Sequence, residues 1–259
     1  MMAKNRNESE RMRQIREKAN EQRRAELARE RRRRGFIQTA IIVAVLVVVG
    51  GGGLALYNAN RASAVLTVPD ASGTITVAGA QVPFDIDGSR VRVGAEGAPV
   101  TVGLIEDYSC PHCAEYEAEI GSTVEELVAD GSIAFEMTPV QIVTHYGVRA
   151  GSAATCVAVG DPDAWFDVHR GLFERHDATS DGWRNADLRE FVQGLGVDDR
   201  DTLDCIADGT YESWIETNTA DAAEAGITST PTLLIDGEQT TRLTVEQLRA
   251  RVAELAGSE

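Results

Sequence analysis

Cys110-Pro111-His112-Cys113 falls where an apolar strand gives way to a helix, and this junction limits the folds open to the chain more than any other feature. Val100 to Asp107 reads as a buried strand that ends at Tyr108-Ser109. Beyond the motif, Tyr116, Ile120, Val124 and Leu127 recur at three- and four-residue spacing, one face of a helix. A cysteine at such a junction meets unpaired N–H groups and the helix dipole, which favour its thiolate. Cys110 has that position. Pro111 has no N–H to lose at the first helical turn, and His112 offers a charge and a hydrogen bond to the sulfur. Cys113, one turn inward, is placed to attack a mixed disulfide on Cys110. A structural disulfide or a zinc knuckle would use the same spacing. Zinc normally takes a second ligand pair, and Cys156, Cys205, His145, His169 and His176 show no close pairing.

The elements around the junction define the fold class. Asn58 to Ala80 reads as a tether, followed by short alternating runs at Gln81 to Ile86 and Ser89 to Val93. Ser132 to Met137 makes another strand, Tyr146 to Ala225 is a broken helical block, Thr232 to Ile235 is a strand, and Thr244 to Leu255 is an amphipathic helix. The order strand, helix, strand, helical block, strand, helix predicts an α/β protein with a helical insertion over about 141–226 of a domain spanning 89–259.

Charge is unevenly distributed. Of a net charge of -16, residues 1–34 hold 13 Lys+Arg against 6 Glu, so the remainder carries -23 and no lysine. So acidic a domain repels phosphate backbones, which argues against nucleic acid as a partner. The basic arm, 1–34, ends in Arg31 to Arg34 and meets a stretch without formal charge from Gly35 to Asn60. At about 1.5 Å per residue, Phe36 to Tyr57 spans roughly 33 Å, against a hydrocarbon core of about 30 Å. The expectation is one N-terminal transmembrane helix at 35–58, with the arm cytoplasmic, a tether and first strands at 59–88, and everything beyond extracytoplasmic at the cell membrane. A cleaved signal peptide is the alternative, since Ala62-Ser63-Ala64 has the small-x-small pattern.

Three sets of residues resemble one family. They are Ala98-Pro99-Val100-Thr101-Val102; Asp107-Tyr108-Ser109-Cys110-Pro111-His112-Cys113; and Gly226-Ile227-Thr228-Ser229-Thr230-Pro231-Thr232. Together they resemble the DsbA-type thiol-disulfide oxidoreductases of the thioredoxin superfamily. Ser152 to Cys156, Ala164-Trp165 and Leu172-Phe173 match the branch found in high-GC Gram-positive bacteria. The resemblance implies a thioredoxin-like fold with an inserted helical subdomain, and an oxidase that passes the Cys110–Cys113 disulfide to exported proteins. It implies no cofactor beyond the cysteines and no metal. A membrane partner of the DsbB or vitamin K epoxide reductase type would reoxidise the pair. It makes Pro231 a cis-proline against the cysteines and gives Thr230 backbone hydrogen bonds to substrate.

One position departs from the family pattern. Many members carry a buried acid six residues before the first cysteine, where this chain has Leu104. Glu106 shares that strand face and is the candidate for proton transfer, the alternative being an exposed strand-end carboxylate. His145, His169 and His176 read as surface or packing residues, and Trp165 as a core anchor. An even cysteine count in an oxidising compartment leaves Cys156 and Cys205 to form a structural disulfide. The Pro111-His112 pair predicts a Cys110 pKa well below 6 and a potential above about -180 mV. The rival readings are a reductase or isomerase on the same fold, or a non-catalytic membrane-tethered binding module.

Overall fold

The computed structural model describes residues 66–257. The basic arm, the expected membrane span and the first part of the tether lie outside these residues. Among the described residues no helix is long and apolar enough to cross a membrane.

β1 (Ser72–Val77), β2 (Ala80–Asp87) and β3 (Arg90–Val93) form an antiparallel meander. β4 (Val100–Glu106), α1 (Pro111–Ala129) and β5 (Ile133–Pro139) then make a strand-helix-strand unit whose strands pair in parallel. A helical block follows: α2 (Tyr146–Gly160), α3 (Trp165–Arg175), α4 (Asn185–Gly194), α5 (Arg200–Asp208) and α6 (Glu212–Glu224). The chain returns to the sheet as β6 (Thr232–Ile235) and β7 (Glu238–Thr240), and α7 (Val245–Ala256) closes the fold. The sheet has seven strands in the order β1-β2-β3-β5-β4-β6-β7, so β4, which leads to the cysteines, lies between β5 and β6. This is a mixed α/β thioredoxin-like fold with an inserted helical subdomain.

β4 is buried on both faces. Val102 and Leu104 join the main core with α1, while Ile105 enters a smaller cluster with Val140, Ala222 and Ile227. In α2, Gly, Ser, Ala and Thr dominate and nearly every residue is buried. Small side chains let other helices come close: a Cβ on Gly151 would stand 3.1 Å from Ile215 on α6. Cys156 on α2 and Cys205 on α5 are joined by a disulfide.

Two edge strands differ from the sequence reading. The tether does not run to Ala80, because Ser72–Val77 is β1. Ile75 and Val77 are buried while Thr74 and Thr76 are exposed, an alternation of only two apolar residues that also fits a loop. At the outer edge of β1, the Thr76 N–H donates to Asp163 Oδ1 at 2.7 Å. β7 has no apolar signal, since all its residues are exposed, and it forms only by pairing with β6.

Candidate active site

The turn between β4 and α1 is built around a buried carboxylate, Asp107. Its Oδ1 accepts from the Ser109 N–H at 2.8 Å and the Ser109 hydroxyl at 2.6 Å. Its Oδ2 accepts from the N–H groups of Ile142 and Val143 at 2.6 and 2.8 Å. Ser109 Oγ in turn accepts from the Thr144 N–H at 2.9 Å. Asp107 therefore joins the turn before the cysteines to the loop after β5. A side chain at Gly147 would collide with Asp107 Oδ1, so the close approach requires glycine there. The clamped loop exposes Ile142 and Val143, two of the few large apolar side chains open to solvent among the described residues.

Cys110 is the N-cap of α1, in extended backbone, with Pro111 at the first helical position. Its Sγ lies 3.5 Å from the Thr230 carbonyl oxygen, and the Thr230–Pro231 bond is cis. Its pKa falls from an ordinary 9.0 to about 5. The largest cause is the hydrogen bond from the Cys113 thiol; burial opposes it, and Thr230 and the backbone N–H groups of Cys113 and His112 add to it. Cys113 is fully buried and pushed far up, first by its hydrogen bond to Cys110, then by burial and the charge of Glu106. One sulfur is thus held as a thiolate and the other as a thiol. Pro111 and His112 are exposed, and Thr230 and Pro231 are half-buried. The His112 imidazole does not turn to the sulfur. Its Nδ1 lies 3.0 Å from Glu115 Oε2, and His112 reaches Cys110 through its backbone N–H.

Behind the cysteines lies a polar cluster that sequence reasoning did not find. Glu106 ends β4 with no exposure, and neither carboxylate oxygen has a hydrogen-bond partner. His169 of α3 is equally buried, with Nε2 4.0 Å from Glu106 Oε2 and 3.7 Å from Glu117 Oε2 of α1. Its Nδ1 is 2.7 Å from the Tyr108 hydroxyl, and its ring stacks on Trp165 at 4.9 Å. Burial, with the charges of Glu117 and Cys110, pushes Glu106 well above the usual carboxylate range. Glu117 is lowered: burial would raise it, but its interaction with His169 at 3.7 Å, with the Arg170 charge, prevails. His169 is a packing residue, as expected of the histidines, but it packs against two acids. His145 is exposed, and His176 pairs with Asp181 at 2.9 Å.

The donor atoms of Glu106, Glu117 and His169 all lie within 4.8 Å of one another. Ligands at tetrahedral angles on zinc bonds of about 2.0 Å stand roughly 3.3 Å apart. The 3.7 and 4.0 Å gaps at His169 are wider than such a closed site.

A sequence family described as Thioredoxin matches residues 87–254. Reduced DsbA from Mycobacterium tuberculosis is 28% identical, with a TM-score of 0.57 over 66% of this chain and 93% of that one. Reduced DsbG from the same organism, titled a disulfide bond oxidoreductase, is 29% identical, with a TM-score of 0.56 over 64% of this chain and 86% of that one. Oxidised BdbD from Bacillus subtilis, at 21% identity, shares the fold: its TM-score is 0.56 over 64% of this chain and 92% of that one. No curated protein matches the chain by sequence.

Proposed function

Since this chain belongs to the thioredoxin family and is a thiol-disulfide oxidoreductase of DsbA-like fold, we propose that it works as an oxidase, donating the Cys110–Cys113 disulfide to exported proteins. The observation that carries this reading is the Cys110 sulfur, held near pKa 5 by donors from Cys113, Thr230 and the helix terminus. Donors that hold a thiolate have less to hold in the disulfide, so they favour the reduced form and make the couple oxidising.

The chemistry proceeds in two exchanges. A substrate thiolate attacks Cys110 Sγ, a substrate–Cys110 bond forms, and the Cys110–Cys113 bond breaks. The electron pair goes to Cys113, which takes a proton from Glu106. A second substrate thiolate then attacks the substrate sulfur and expels Cys110 as a thiolate, a good leaving group at its low pKa. The substrate leaves oxidised by two electrons and the pair is left reduced. Pro111 starts the helix, and the half-buried Thr230 and Pro231 face Cys110, where an extended substrate segment would lie.

A membrane partner of the DsbB or vitamin K epoxide reductase type would take the two electrons back. The uncharged stretch after Arg34 supports a single N-terminal anchor with the domain outside the cytoplasm, and the motif matches support a place in the high-GC Gram-positive branch. Protease added to spheroplasts tests the topology: the domain should be digested and the arm spared.

The deciding experiment equilibrates the pair against glutathione buffers. A potential above about -180 mV is expected. A value near the roughly -270 mV of thioredoxin would put the reductase reading in its place.

A further inference from the structure

Three buried polar atoms without hydrogen-bond partners, both Glu106 oxygens and His169 Nε2, lie together behind Cys113, with the Glu117 carboxylate 3.7 Å from Nε2. Leaving buried polar groups unpaired is costly, so their persistence calls for an explanation. We propose that His169 and Glu117 are relay residues that exchange protons between Glu106 and solvent, with Tyr108 holding the imidazole in register. This rests on the reading of Glu106 as the proton carrier for Cys113.

The groups that interact with Glu106 are Cys110, Cys113, Tyr108, Tyr116, Glu117 and His169; those that interact with Glu117 are Glu106, Tyr108, Glu125, His169 and Arg170. Two carboxylates and one imidazole in an enclosed space are close to neutral when Glu106 holds a proton and His169 is charged beside ionised Glu117. Ionising Glu106 as well would leave a net negative charge in the interior. The directions of the two carboxyl pKa values agree with it: Glu106 rises and Glu117 falls.

Tyr108 suits a ring that changes charge without moving. Its hydroxyl, 2.7 Å from Nδ1, can accept from Nδ1–H when the imidazole is charged and again after Nε2 has given up its proton. Burial, followed by Glu106 and Glu117, pushes the phenol pKa well up, so Tyr108 keeps its own proton. Trp165, Phe173 and Tyr108 surround the ring and fix its plane.

The order of transfer follows from exposure. Glu106 and His169 are 0% exposed, whereas Glu117 is 6% exposed and interacts with Arg170, which pairs with Glu125 near the surface. When Cys113 leaves as a thiolate, Glu106 protonates it and becomes a carboxylate. His169 then gives its Nε2 proton to Glu106, and a solvent proton entering past Glu117 restores the imidazolium. Gaps of 3.7 and 4.0 Å exceed a hydrogen bond, so a bridging water or a small side-chain rotation completes each transfer. Reoxidation of the pair reverses every step.

The test is stopped-flow reduction of the oxidised whole chain by a dithiol peptide across about pH 5 to 9, in water and deuterium oxide. His169→Gln, Glu117→Gln, Glu106→Gln and the double variant E106Q/H169Q are compared. Glu106→Gln is expected to slow Cys113 release at least about tenfold and remove the pH inflection. His169→Gln is expected to slow it comparably and raise the solvent isotope effect, while the Cys110 pKa stays near 5. The double variant should be no slower than Glu106→Gln, because the residues act in series. Glu117→Gln, which keeps the imidazole, should show a smaller slowing and supplies the test if His169→Gln does not fold. A wild-type rate and isotope effect in His169→Gln beside a slow Glu106→Gln overturns the relay and leaves Glu106 standing. A wild-type rate in Glu106→Gln overturns both. Stoichiometric zinc binding by the whole chain, lost in His169→Gln, overturns the relay in favour of a metal site.

Discussion

Cys113→Ala separates what the partner thiol does for Cys110 from what the helix terminus does. The variant removes the largest influence on the Cys110 sulfur but keeps the backbone N–H of residue 113, that of His112 and the contact with Thr230. A hydrogen bond to a charged group is worth about 1.5–3 kcal/mol, and each pKa unit about 1.4 kcal/mol. The Cys110 pKa should therefore rise from about 5 to between about 6 and 7. At pH 7 the thiolate fraction would fall from roughly 99% to between roughly 50 and 90%. Cys113→Ser keeps a donor and should stay near the starting value. The assay follows thiolate ultraviolet absorbance against pH, checked by the pH dependence of alkylation at Cys110. A Cys113→Ala pKa still near 5 would show that the terminus and Thr230 suffice and would refute the role given to the Cys113 thiol.

The same sulfur makes the stability of the reduced protein depend on pH. Its folded pKa lies below the ordinary 9.0, so the stabilisation is full near pH 9, declines as pH falls and is gone below about 5. Its ceiling is on the order of 5 kcal/mol, less solvent screening. Cys113 stays a thiol throughout, so melting of the reduced minus the oxidised form should show a difference that grows from pH 5 to 8; a flat difference counts against it. Replacing Cys156 and Cys205 together by Ala opens a loop with a sequence separation of 49. It should cost about 4 kcal/mol in denaturant unfolding while sparing the potential of the reactive pair. Asp107→Asn turns an NH2 toward donors at Ser109 or at Ile142 and Val143, and chemical denaturation should report a loss of about 2–3 kcal/mol. His112→Ala retains the backbone N–H that reaches Cys110, so the Cys110 pKa should move by less than about one unit, contrary to a direct imidazole role.

The fold was largely legible because its long elements carry strong periodicity. Val100–Glu106 is a continuous apolar run, Cys113, Tyr116, Ile120 and Val124 mark one face of α1, and Thr232–Ile235 stands between turn residues. Strands decided by pairing rather than side chains, β1 and β7, were not legible. In the site, Cys110 and Cys113 were visible from spacing. Thr230 and Pro231, 120 residues or more beyond Cys110, were visible only through family resemblance. Asp107 read only as the last residue of a strand, since two of its four donors lie 35 and 36 residues away. Glu117 resembles its exposed neighbours Glu115 and Glu119 until its four-residue spacing from buried Cys113 is considered. His169 carried a readable signal: Trp165 and Phe173 stand four residues to either side, which puts it on the buried face of α3. Nothing local revealed that this face meets two acids.

The edges of the sheet bear on how such a protein can share space with unfolded chains. A bare outer strand offers main-chain donors and acceptors to any extended peptide and so invites continuous β-pairing and aggregation. β7 is three residues long and begins with a glutamate, too short and too polar to template another strand. β1 is longer, but its Thr76 N–H is already given to Asp163. β7 is thus a poor template for further pairing, and at β1 one outward donor is already taken.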